Sequence, residues 1–226
     1  MSTSTGSVRL VLASASPRRV ELLDRIGLSH LAMPADVDES VLPGETADDY
    51  VVRVASDKAT AVAMALAAPP DSRSPDSRSL DAATDRGADS SGPTVVLAAD
   101  TAVVLDGEPL GKPRDRADAL AMLSRLSGRN HRVLSAVVVV DPDGVVHTAL
   151  ATATVTIAPL SSAELEWYVD SGEPLDKAGS YAIQGMGAAL VESIDGDPTT
   201  VIGLPLRATL ELLRAAGVQW PPTSHA

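Results

Sequence analysis

The chain has 226 residues, enough for one large domain or two small ones with a substantial core. Its 18 basic and 30 acidic residues give a net charge of −12, which argues against an electrostatic hold on nucleic acid or on an anionic membrane. Cys is absent, so a disulfide scaffold, a thiolate nucleophile and Cys-ligated zinc or iron–sulfur are excluded.

No apolar run approaches the roughly 20 residues of a membrane span. The polar, uncharged opening Met1–Ser7 lacks the basic start of a signal peptide, so a cytoplasmic protein is expected. Val8–Ala13 reads as a short buried strand. Ser16 is a candidate N-cap and Pro17 a first helical residue, for a helix running to about Ile26 and stopped by Gly27. Pro34–Pro43 is irregular and acidic. Thr46 to about Ala68 is Ala-rich, with apolar residues on helical spacing.

Pro69–Pro93 changes character. It holds five Asp, three Arg, six Ser and one Leu, with PDSRS repeated at 70–74 and 75–79. Such a segment buries too little apolar area to offset its ordering entropy and is expected to be a disordered surface insertion. Two strands follow, Thr94–Ala99 and Thr101–Leu105, ending at the turn Asp106-Gly107. Asp115 caps a helix through Leu126, closed by Gly128. His131–Val140 and Val145–Ile157 are strands joined by the turn Asp141-Pro142-Asp143-Gly144. Ser161–Glu164 is a capping box for a helix to about Val169. A Gly-rich region spans 171–187, Ala188–Ile194 leads to the turn Asp195-Gly196, and a last helix spans about Leu206–Ala216. Strands and helices mix without strict alternation, so the expectation is an α/β fold with a mixed sheet flanked by helices. One domain covers 8–217, with 1–7 and 218–226 as tails.

Several short segments carry chemistry. In Ser14-Ala15-Ser16-Pro17-Arg18-Arg19 a strand runs into a helix whose first turn holds two arginines. The helix dipole disfavours cations there, so the pair makes sense around an anion such as phosphate. Two arginines splayed into solvent is an equally weighted alternative. Asp100 closes an apolar strand, where open α/β sheets place metal ligands or bases. A turn-forming role is the commoner one for Asp, but a β-branched run follows it. Only Lys58, Lys112 and Lys177 are lysines, against fifteen arginines. Lysines surviving such a bias suggest sites that need a compact ammonium. Lys112 lies between Gly111 and Pro113 on a stiff segment. Lys58 alone reads as a solvated helix charge. Lys177 has Asp176 as a local partner. Glu39, in an acidic stretch, reads as either a metal ligand or a solvated charge. Gln184, in a Gly-dense loop, offers the paired donor and acceptor that read a base edge, and a plain turn weighs as much. His131 reads as structural or partly exposed. No phosphate loop, dinucleotide fingerprint, nucleophile elbow or HExxH motif is present.

Taken together, Leu12–Arg19, Ser56-Asp57-Lys58-Ala59, Ala99-Asp100-Thr101, Gly111-Lys112-Pro113, Leu126-Ser127-Gly128 with His131, Glu173–Gly179 with Gln184-Gly185, and Gly203-Leu204-Pro205 resemble the Maf family of nucleoside triphosphate pyrophosphatases, in family order from about Leu10 to Leu213. The resemblance implies a Maf/ITPase-like, two-lobed α/β fold with a central cleft, and hydrolysis of a nucleoside triphosphate to the monophosphate and pyrophosphate. It implies Asp100 as proton acceptor. Arg18, Thr101 and Gln184 are implied as substrate-selecting residues, and Ser14, Arg19, Glu39, Lys58, Lys112 and Lys177 as supporting phosphate, metal or cleft residues. A divalent cation, Mg²⁺ or Mn²⁺, is expected at one or more of Glu39 and Asp100, so that Asp100 reads either as a base or as a metal ligand. Asp-Thr at 100–101 is similar to the branch acting on dTTP and UTP, rather than the Asp-Gln branch acting on 7-methyl-GTP. Three alternatives are a purine or modified triphosphate as substrate, a nucleotide-binding regulator of septum formation with little turnover, and a purely structural module, which would not explain the clustered motifs; a homodimeric assembly is left open. The sequence departs from the family in its 69–93 insertion, in Ala182 where Gly is usual, and in lacking the Phe common before the acidic loop.

Overall fold

The computed structural model describes residues 8–68 and 92–222. The expected disordered insertion lies almost wholly outside the described residues, as do residues 1–7 and 223–226.

In chain order the elements are β1 (Arg9–Leu12), α1 (Pro17–Arg25), β2 (Leu31–Ala32), α2 (Ala47–Ala67), β3 (Thr94–Leu105), β4 (Glu108–Leu110), α3 (Arg116–Leu126), β5 (Asn130–Val140), β6 (Val146–Ile157), α4 (Ser162–Asp170), β7 (Val191–Asp195), α5 (Pro198–Ile202) and α6 (Leu206–Ala215). Thr46 and Asp115 cap α2 and α3 through their side chains, and Ser161 with Glu164 forms the full capping box of α4. The sheet order is β2-β1-β3-β5-β6-β7, with β4 also pairing β3. β1 runs parallel to β2 and β3, and the other pairings are antiparallel, so the sheet is mixed as expected.

One expectation is corrected at the centre. Thr94–Ala99 and Thr101–Leu105 are not two strands but one twelve-residue strand, β3. Its pairing with β5 runs unbroken from Val96↔Val140 to Val104↔Arg132, so the ladder carries the backbone straight through Asp100. Three short elements, β2, β4 and α5, were not foreseen. The boundary at 217 is also crossed: Val218 is buried and Trp220 Nε1 donates to Ile26 O at 2.8 Å, because these apolar side chains find cover against α1.

The core is arranged in three clusters. On one sheet face, Val51, Ala55, Ala59 and Val62 form a stripe along α2 and pack on Val96, Ala98, Ala102, Leu134, Ala136 and Val138. On the other face the cover changes along β3. Around Leu97 and Ala99 it comes from Leu22 and Leu23 of α1 and Leu210 and Leu213 of α6. Around Val103 and Leu105 it comes from Leu123 and Leu126 of α3 and Tyr168 of α4. The change of cover divides that face into two lobes, and Thr101 lies at the seam.

Candidate active site

The same seam appears at the strand edge. β1 pairs with β3 only as far as Leu97, and β4 only from Val103 onward. Between them Ala98–Ala102 has a ladder partner in β5 alone, and a cleft of about 750 Å³ opens against it. Strand alternation then separates two neighbours. Asp100 points to the face covered by α2, and Thr101 to the face covered by α1.

On the α2 face, Lys58 Nζ lies 2.8 Å from Asp100 Oδ1 and 2.6 Å from Glu39 Oε1. Lys58 and Asp100 are both buried. The reading of Lys58 as a solvated helix charge is therefore corrected: at its position on α2 it faces the sheet, and only a carboxylate there offsets its burial. Burial raises the Asp100 pKa, and the nearby Lys58 and Arg19 charges oppose that rise. Glu39 is positioned through its backbone. Tyr50 OH donates to Glu39 O at 3.0 Å, while Arg53 grips the flanking loop through Glu45 (2.6 and 2.9 Å) and Ser40 O (2.8 Å).

On the α1 face, Thr101 Oγ1 lies 2.8 Å from Ser135 Oγ, which donates to Thr200 O at 2.8 Å. Arg19 is buried and forked: Nε donates to Gly203 O at 2.9 Å, Nη1 to Ser14 Oγ at 3.1 Å and Nη2 to Thr101 Oγ1 at 3.3 Å. Burial lowers its pKa and Asp100 opposes that. Ser16 occupies the N-cap of α1, but its side chain makes no capping bond. Its N–H instead donates to Ser14 Oγ at 3.2 Å.

Arg18 and Lys112 reach the same cleft with no ion-pair partner among the described residues. Lys112 is exposed on its short loop, which Gly179 N ties down by donating to Gly111 O at 3.1 Å. Lys177 pairs with Asp176, as its sequence neighbour suggested. Gln184 lines the wall, and its Nε2 lies 3.4 Å from Glu21 Oε2 on α1. All ten residues singled out from the sequence (Ser14, Arg18, Arg19, Glu39, Lys58, Asp100, Thr101, Lys112, Lys177 and Gln184) thus line one cleft.

Sequence reasoning missed the residues that brace this wall. Glu173 and Tyr168 hold the Gln184 loop from behind, and Arg53 holds the Glu39 loop. Glu173 carried a signal in its own motif, but only the fold shows what it touches. His131 is buried, which fits the structural reading rather than the partly exposed one. Its Nε2 lies 2.7 Å from Tyr181 OH, and Nδ1 has no hydrogen-bond partner. Its position near the start of β5 turns the ring into the α3–α4 lobe.

Among the described residues no group of three or more His, Asp or Glu is placed to hold a metal ion. Glu39 and Asp100 do converge, since each has an oxygen in contact with the same ammonium. Two carboxylates on one cation are a donor set that suits a hard divalent ion whose remaining ligands are phosphate oxygens and water.

Fold and cleft together define a class: a mixed α/β protein that gathers cations around one buried carboxylate, in a space sized for a nucleotide-like anion. The chain belongs to the Maf family; the model of the family, described as Maf-like protein, matches residues 9–216. It is 50% identical to a dTTP/UTP pyrophosphatase of Anaeromyxobacter sp. (strain Fw109-5), over 94% of this chain and 92% of that one. It is 46% identical to a dTTP/UTP pyrophosphatase of Bordetella avium, over 94% of this chain and 98% of the relative. A third, from Myxococcus xanthus, is 45% identical over 94% of each chain and has the same name. Among solved structures, the Staphylococcus aureus Ham1 protein is 17% identical with a TM-score of 0.45, covering 92% of this chain and 96% of that one, too distant to bear on the site.

Proposed function

We propose that the protein hydrolyses dTTP and UTP to the nucleoside monophosphate and pyrophosphate. The observation that carries the reading is the convergence of Arg18, Arg19, Lys58, Lys112 and Lys177 with Asp100 on one cleft of an otherwise acidic protein. The names of relatives at 45–50% identity point to the same reaction and the same bases.

A triphosphate tail is most stable where cations are fixed in advance, because no reorganisation is then needed as charge shifts in the transition state. Arg18 and Lys112, free of ion pairs among the described residues, take the outer phosphates. Arg19 is locked by three hydrogen bonds and holds its charge at the seam beside Asp100 and Thr101. Asp100 takes the proton from water as the water oxygen bonds to the α-phosphorus and the bond to the pyrophosphate oxygen breaks. Burial raises its pKa, which suits a base, and the Lys58 charge opposes that rise. Positioning by Thr101 and Gln184 selects the base. A Mg²⁺ or Mn²⁺ ion held by Glu39 and Asp100 would neutralise phosphate charge. The reading also makes this an enzyme of the cytoplasm acting on free nucleotides, not on nucleic acid or at a membrane. The −12 charge supports that, and no described helix is long and apolar enough to cross a membrane. Light scattering in solution tests for the homodimer.

A screen of pyrophosphate release over pyrimidine, purine and modified triphosphates, with Mg²⁺ or Mn²⁺, tests the reading. The expected result is fastest release from dTTP and UTP. Faster release from a purine or modified triphosphate would overturn the choice of base. Tight triphosphate binding with no pyrophosphate released would favour a nucleotide-binding regulator instead.

A further inference from the structure

Glu173 does not line the cleft, yet its carboxylate fixes the loop that does. Oε1 accepts from Tyr168 OH at 2.9 Å and from Gly187 N at 3.0 Å, and Oε2 accepts from Met186 N at 2.9 Å. Tyr168 OH in turn accepts from Ala182 N at 3.2 Å. The two side chains therefore grip the loop on both sides of Gln184, at Ala182 before it and at Met186 and Gly187 after it. Tyr168 is fully buried in the α3–α4 lobe, and Glu173 sits in a short helical turn directly after α4.

The glycines fit this purpose by space rather than by backbone angle. A Cβ at Gly185 would collide with the Glu173 carboxylate, and one at Gly187 with Ala182 O and Tyr168 OH. Neither glycine has a positive φ. Both are needed because the carboxylate and the hydroxyl approach the backbone so closely. Burial alone would raise the Glu173 pKa, but the N–H donors of Gly187 and Met186 and the Tyr168 hydroxyl outweigh it and the net shift is downward. The group is thus held as an acceptor-only carboxylate. Gln184 itself reaches across the seam to Glu21 of the opposite lobe, so the loop position set by Glu173 decides how far that side chain extends over the cleft.

We infer that Glu173, with Tyr168, is a positioning residue for base selection, aiming Gln184 through the backbone of residues 182–187 without touching substrate. This rests on the reading of Gln184 as a base-selecting residue. The test compares kcat/KM for dTTP and dATP, and thermal unfolding, in Glu173→Gln, Tyr168→Phe and Gln184→Ala. Gln retains one acceptor oxygen where the loop uses two, and Phe removes only the hydroxyl. Both variants are expected to reduce the dTTP-over-dATP ratio by about tenfold or more, with KM for dTTP rising more than kcat falls. The double variant is expected to lose no more than the larger single loss, because both cut one brace. A purely structural role would lower the unfolding temperature and slow both nucleotides alike, leaving the ratio unchanged, and that result overturns the inference. If Gln184→Ala changes the ratio while Glu173→Gln and Tyr168→Phe do not, the inference alone fails. If Gln184→Ala leaves the ratio unchanged, the base-selecting reading of the loop fails and takes the inference with it. Should Glu173→Gln not fold, Tyr168→Phe decides the same question.

Discussion

Lys58 Nζ donates to Asp100 Oδ1 at 2.8 Å, joining α2 to the middle of β3 inside a wall that buries both side chains. A buried ion pair of this kind is weak evidence for stability, since both charges are desolvated. Here burial wins over the cationic neighbours, and the Asp100 pKa is raised. In the proposed reaction the pair serves as a poised base rather than as a staple.

That direction sets a stability signature. A carboxyl whose folded pKa lies above its unfolded value stabilises the fold at low pH, and the contribution is lost as pH rises through the folded pKa. Asn cannot ionise, yet keeps an acceptor oxygen for Lys58. Asp100→Asn is therefore expected to gain stability relative to the natural protein as pH rises, while losing turnover by about a thousandfold. Thermal unfolding at stepped pH and a pyrophosphate assay check both halves. A stability difference that narrows with rising pH rejects the electrostatic account, and near-normal turnover removes Asp100 from the chemistry.

Two cations in the same cleft should respond in opposite ways. Arg19 is buried and donates to Gly203 O, Ser14 Oγ and Thr101 Oγ1, so Arg19→Lys should cost about 2 kcal/mol in stability as acceptors go unmet. Lys112 is exposed and has no ion pair among the described residues, so Lys112→Arg should change stability by less than about 0.5 kcal/mol. Its kcat/KM should nevertheless fall about tenfold, because a planar fork on a short stiff loop does not replace a compact ammonium. Urea unfolding beside steady-state kinetics separates the two effects. A Lys112→Arg variant as active as the natural protein would show that any cation suffices there.

His131 supplies an acid-sensitivity prediction. Burial pulls its pKa from the usual 6.5 down to about 4. A depressed folded pKa means that the unfolded chain takes up a proton first, so this contribution is intact above pH 6.5 and lost as pH falls toward 4. The loss amounts to about 3 kcal/mol at one pKa unit per 1.36 kcal/mol. His131→Gln should flatten that part of the stability curve while keeping a partner for Tyr181 OH. A curve of unchanged slope between those limits would show that other groups carry the acid sensitivity.

Much of the site was legible because its residues lie beside backbone punctuation. Arg18 and Arg19 follow Pro17 at a helix start, Lys112 stands between Gly and Pro, and Gln184 precedes Gly185. Short-range rules read such positions directly. Lys58 was less legible. Its neighbours on α2 look like any charged helix face; only the register of that helix on β3 brings Asp100 to its ammonium, and only the loop held by Tyr50 and Arg53 brings Glu39. Glu173 was missed as a brace because its partners are Tyr168, Met186 and Gly187, whose approach depends on how the chain folds back after α4.

By itself the sequence determined the local order of the molecule: capped helices, β-branched strands, turn chemistry and the identities of the charged groups, all of which depend on neighbours a few residues apart. Tertiary structure alone decided that β3 runs unbroken through Asp100 and that its edge is left bare between β1 and β4. It also decided that Asp100 and Thr101, adjacent in the chain, serve opposite faces of the sheet. These outcomes depend on pairing and burial between residues tens of positions apart, where the free energy belongs to the packed whole and no single segment encodes it.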